Sequence, residues 1–94
     1  MAHSLSAKKR IRQNETRSVR NQMRMSRLRT EIKKFAKLMQ HRDVAAAREQ
    51  LSRVYKVLDQ VAAKGTIHAN MASRKKGRLT RALMALEKHA GTAA

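Results

Sequence analysis

Nine residues between Lys8 and Arg29 are cations: Lys8, Lys9, Arg10, Arg12, Arg17, Arg20, Arg24, Arg27 and Arg29, with Glu15 the single acid among them. Their chemistry is anion binding. A guanidinium forks onto two phosphate oxygens and stacks on bases, whereas an ammonium acts as a point charge. No helix-breaking residue interrupts the stretch, and at about 100° per residue the side chains point around most of a helix circumference. Such a helix has no face to bury against an ordinary core and repels itself in water. A polyanion on several sides relieves both problems. A second basic cluster, Arg74-Lys75-Lys76-Gly77-Arg78, lies toward the C-terminus.

Other chemistries are poorly supplied. The acids are Glu15, Glu31, Asp43, Glu49, Asp59 and Glu87. Asp43 reads as a helix cap, and Glu15, Glu31, Glu49 and Asp59 fall where i, i+3 or i+4 pairs with Lys or Arg suffice to explain them. His3, His41, His68 and His89 show no chelating spacing. Cysteine is absent, so no disulfide or thiolate metal site is possible, and no glycine-rich phosphate loop occurs. Met25, Met39 and Met71 fall on apolar stripes and read as core filling rather than soft-metal ligands. No catalytic residue, metal, cofactor or small-molecule substrate is expected.

The elements that carry these side chains follow from period and punctuation. The chain has 94 residues, a net charge of +17, no proline and three glycines. That length suits one small domain, and helix formers dominate throughout. Met25, Leu28, Ile32, Phe35 and Met39 step by three and four, one helical stripe. Upstream, Ile11, Val19 and Met23 do not extend it. A first helix over about 6–40 thus has a packing C-terminal half and a projecting basic N-terminal half.

A turn follows at His41-Arg42-Asp43. Val44, Ala47, Leu51, Val54, Leu58 and Val61 then mark a second amphipathic helix over about 43–64, closed by Lys64-Gly65. Thr66 is expected to cap a third helix at once, over about 66–89, with Ile67, Met71, Leu79, Leu83 and Leu86 facing inward and residues 90–94 frayed. Leu28, Ile32, Leu51, Leu58 and Leu83 are expected to be buried. Short connections favour antiparallel neighbours, so the fold class is all-α, an up-down-up three-helix bundle whose long N-terminal helix projects beyond it.

The composition also narrows the polyanion. Phe35 and Tyr55 are the only aromatics, too few for a single-strand binder that stacks bases on rings. Cations spread along and around a rod do not resemble a short recognition helix aimed at one groove. They suit folded RNA, where contacts go mainly to phosphates and 2′-hydroxyls. An architectural nucleoid-type DNA-binding protein is the competing reading. A membrane-active helix needs a continuous apolar face, which residues 8–24 lack, and no apolar run approaches the length of a membrane span.

Ser6-Ala7-Lys8-Lys9-Arg10, the Asp43-Val44-Ala45-Ala46-Ala47 helix start and Ala63-Lys64-Gly65-Thr66-Ile67-His68-Ala69-Asn70-Met71-Ala72-Ser73-Arg74-Lys75-Lys76 resemble the family of the twentieth protein of the bacterial small ribosomal subunit. The resemblance covers about residues 2–88, with departures at His3, Ala69 and Gly77. It implies a three-helix bundle that binds small-subunit (16S) ribosomal RNA directly and stabilises its fold during assembly. Such a protein has no catalytic role and is a cytoplasmic monomer within the ribosome, beside neighbouring ribosomal components. By motif match it implies RNA contacts at Lys8, Lys9, Arg10, Lys64, His68, Asn70, Arg74 and Lys76. The charge pattern adds Arg12, Arg17, Arg20, Arg24, Arg27, Lys75 and Arg78.

Overall fold

The computed structural model describes the backbone of residues 5–92 and the side chains of residues 5–89. Three helices make up the described chain: α1, Leu5–Gln40; α2, Val44–Ala63; and α3, Ala69–Thr92. The all-helical class and the long first helix expected from the sequence are both present. Helix α2 lies in the middle and packs against α1 on one side and α3 on the other, while α1 and α3 hardly meet. Cross-helix contacts fix the directions. Arg27 reaches Gln60 and Glu31 reaches Gln50, whereas Arg48 meets Glu87 and Tyr55 meets Thr80. Both neighbours of α2 therefore run antiparallel to it.

The core is the meeting of the stripes. Leu28 and Phe35 from α1, Ala47, Leu51, Val54, Val57, Leu58 and Val61 from α2, and Ala72 and Leu83 from α3 are buried, with Ile67 beside them. Val54 and Leu58 are completely enclosed; burying each side chain stabilises the fold by roughly 1.5–3 kcal/mol. Val57 lies outside the simple three-four period and is buried because α2 is covered on two sides. Gln50 is buried for the same reason. Its amide donates to the Glu31 carbonyl at 2.9 Å and to the Glu31 carboxylate at 2.6 Å, so the polar group enters the interface satisfied.

Two expectations about burial are corrected. Ile32 is only partly buried, packed against the edge of the core. Met71 is 50% exposed rather than core. Since α3 packs on α2 and hardly on α1, only a narrow stripe of it is covered, and Met71 falls outside that stripe.

The helix ends follow local chemistry. Asp43 caps α2 through its carboxylate, which accepts from the Ala46 N–H at 3.2 Å. Helix α1 ends in a Schellman turn: the Asp43 N–H donates to the Leu38 carbonyl and the Arg42 N–H to the Met39 carbonyl, both at 3.1 Å. The turn places Arg42 at φ 55°, a region where a side chain crowds its own backbone. Helix α2 ends the same way, with Thr66 N–H to Val61 carbonyl and Gly65 N–H to Ala62 carbonyl. There the left-handed position is Gly65, at φ 75°, which has no Cβ to crowd.

Helix α3 begins later than expected, at Ala69. Residues 64–68 complete the Schellman turn first, so Thr66 is not the cap. His68 occupies that position: its carbonyl accepts from Ala72 N–H and its Nδ1 accepts from Asn70 N–H, each at 3.1 Å. The helix is continuous through Gly77 and reaches Thr92, past the start of the tail expected to fray. Residues 93–94 lie outside the described residues, as does His3.

Candidate nucleic-acid interface

The side chains of α1 sort into two regimes along its length. From Leu28 onward one face is covered by α2. Every side chain from Lys8 to Arg20 is exposed, because α2 and its C-terminal turn reach back only as far as Asn21 and Arg24. The arm therefore presents Lys8, Lys9, Arg10, Arg12, Arg17 and Arg20 all around a bare helix. Its first turn contains no acid to complement the helix dipole, so fixed cations and the positive helix end add. That is an anion-binding field with nothing in the arm but Glu15 to oppose it.

The second part of the site is the junction where the arm leaves the bundle. Here the Thr66 hydroxyl donates to Asn21 Oδ1 at 2.9 Å. Arg24 donates to Asn21 Oδ1 at 3.1 Å and reaches the Thr66 hydroxyl at 3.4 Å. This triangle ties the turn after α2 to α1 and holds Arg24 half-buried in a fixed orientation. Arg27 lies next to it, 3.5 Å from Gln60 Oε1, and Lys64 is exposed on the turn itself. Neither Asn21 nor Thr66 was singled out as a site residue from sequence, since the contact that joins them spans 45 residues.

The third part is the first half of α3, which starts at the same end of the molecule. Asn70, Arg74 and Arg78 recur every fourth residue and are exposed, so they form one row; His68 is exposed at its head and Lys75 is partly covered. Lys76 stands differently. It pairs with Asp59 of α2 and lies 5.1 Å from the Tyr55 ring centroid. Its ammonium thus sits at the α2–α3 interface between Asp59 and the Tyr55 ring, and the Tyr55 hydroxyl meets Thr80 and donates to the Lys76 carbonyl at 3.3 Å. Asp59 thus pairs between helices and not along its own. Glu87 likewise pairs with Arg48, while Glu31 keeps the i, i+3 partner expected, Lys34 at 3.8 Å.

Arm, junction and α3 row share one end of the molecule. The other end mixes signs, setting Glu31, Asp43, Glu49 and Glu87 among Lys33, Lys34, Lys37, Arg42 and Arg48. Among the described residues no group of acids and histidines is placed to hold a metal ion, and none of the helices is long and apolar enough to cross a membrane. The geometry offers charge and hydrogen-bond donors to an extended polyanion.

Comparison with known proteins agrees with this geometry. The sequence pattern of the family described as Ribosomal protein S20 matches residues 2–84. The small ribosomal subunit protein bS20 of Geobacter metallireducens is 47% identical over 81 residues, covering 86% of this chain and 93% of that protein. Those of Clostridium novyi and Francisella tularensis subsp. novicida are each 45% identical over 86 residues, 92% of this chain and 98% and 96% of theirs. With the match extending from the cationic arm through the turn at Gly65 and into α3, the chain belongs to the ribosomal protein S20 family.

Proposed function

We propose that the chain is a structural, non-enzymatic component of the cytoplasmic small ribosomal subunit that binds the subunit's RNA directly and stabilises its fold during assembly. The observation that carries this reading is the exposed arm from Lys8 to Arg20, a cationic helix with no intrachain face to cover, in a chain of the S20 family. The arm enters between RNA helices, and the α3 row with Lys64 and Arg27 supports the RNA at the bundle's edge. The chain acts as a monomer beside neighbouring ribosomal components, with Lys8, Lys9, Arg10, Arg12, Arg17, Arg20, Asn70, Arg74 and Arg78 as direct contacts. Lys76, partly exposed and paired with Asp59, helps fix α3 on α2.

Equilibrium binding to small-subunit RNA and to duplex DNA of matched length, at several salt concentrations, tests the reading. Each phosphate contact contributes a slope of roughly −0.7 to −0.9 in log K against log salt. A steep slope with tighter binding to the RNA at every concentration is the expected result. Equal affinity for the DNA would return the chain to architectural DNA binding.

A further inference from the structure

One face of α1 changes partner along its length. Leu28, Ile32, Phe35 and Met39 turn toward α2 in the bundle. Counting back 18 residues, about five full turns at 3.6 per turn, the same face of the arm carries Arg10, Asn14, Arg17 and Asn21. The face that packs against α2 thus continues past the end of α2 as an alternating row of arginine and asparagine. Of the arm's exposed apolar side chains, Val19 and Met23 lie round the other side and Ile11 on the flank.

The end of α2 makes a step beside this row, and the step is hollow. One hollow is lined by Asn14, Arg17, Asn21, Met25 and Thr66, and a second by Arg17, Arg20, Arg24, Lys64 and Gly65. No acid lines either. A Cβ added at Gly65 would meet nothing within 4 Å, so the floor of the step is open at that point. The carbonyl end of α2 contributes about half a negative charge there, against the full charges of Arg17, Arg20, Arg24 and Lys64. The cations win by a wide margin. The Asn21–Thr66–Arg24 triangle anchors the base of the row, at Asn21, to the bundle.

We propose that this face is a directional saddle for one RNA backbone, which lies along the arm in the place that α2 occupies farther down α1. Arg10 and Arg17 bind its phosphates, Asn14 donates to phosphate or ribose oxygens, and Lys64 meets the strand at the step. The proposal rests on the RNA-binding reading above and adds to it that the arm has a working face rather than a uniform coat of charge.

Two exposed pairs of equal charge separate these views. Arg10→Gln with Arg17→Gln removes two cations from the saddle. Lys8→Gln with Arg12→Gln removes two from the opposite side of the same arm. Binding of the full chain to small-subunit RNA and to an unrelated folded RNA is measured for wild type and both variants at one fixed salt concentration, with helicity checked by circular dichroism. The saddle pair is expected to lose about tenfold more affinity for small-subunit RNA than the opposite pair, the scale of one charged hydrogen bond, while both lose equally on the unrelated RNA. Equal losses on small-subunit RNA, with wild type still preferring it, would overturn the saddle and leave the RNA-binding reading standing. A wild-type chain without that preference would overturn both.

Discussion

At Arg42 the chain uses a cationic residue where its other helix end uses glycine. Both ends close with the same pair of hydrogen bonds, and the left-handed position is Arg42 in one and Gly65 in the other. A side chain at such a φ costs on the order of 1 kcal/mol, partly offset by the greater freedom glycine has when unfolded. Arg42→Gly is expected to raise stability by about 0.5–1 kcal/mol, measured as a higher midpoint in chemical denaturation. An unchanged or lower midpoint would mean that the Arg42 side chain contributes something its exposure does not reveal. Single residues also mark where sequence reading stops. Asp43 as a cap was legible, because its partner is three residues away. Thr66 and Lys76 were not, since the Thr66 hydroxyl goes to Asn21 and the Lys76 ammonium to Asp59, 45 and 17 residues distant. A tertiary partner outcompetes a local one whenever it is better placed, and spacing along the chain carries no trace of it.

Among the elements, α1 and α2 were the most legible, because each is amphipathic where it packs and the period is unbroken. Helix α3 was less so. It is covered on one side only, so Met71 can sit on the apparent stripe and remain half exposed, and its start was displaced by the turn that ends α2. The arm is an element of another kind. It is helical from Leu5, yet residues 8–20 have no packing from α2 or α3, and isolated helices shorter than about 12–15 residues are marginal in water. Cations at its N-terminus oppose the dipole and repel one another. Amides of residues 8–20 are therefore expected to exchange hydrogen nearly as fast as unfolded ones in the free protein, while those of Val54 to Val61 are protected almost to the global limit. Small-subunit RNA should then slow exchange in the arm. Strong protection of residues 8–20 without RNA would show that the arm is stable on its own and that binding does not order it.

The whole molecule is far from compact. Its radius of gyration is 18.5 Å and its extents are 71 × 21 × 16 Å, against the radius of about 12 Å expected for a compact chain of this length. Elongation exposes charge rather than burying apolar surface, which suits a protein whose stabilising partner is RNA. The elongated outline and the family were legible from helix lengths, charge and the motif around Gly65. The gathering of arm, junction and α3 row at one end was not spelled out by spacing, because it depends on both neighbours of α2 running antiparallel to it. Sedimentation of native subunits through a series of salt concentrations measures whether RNA holds the chain in the small ribosomal subunit. The chain is expected to travel with the small subunit in equal numbers at low salt and to be released as salt rises, since phosphate contacts dominate its binding. Finding it instead in the nucleoid fraction, or free of the small subunit at low salt, would mean that small-subunit RNA is not what holds it.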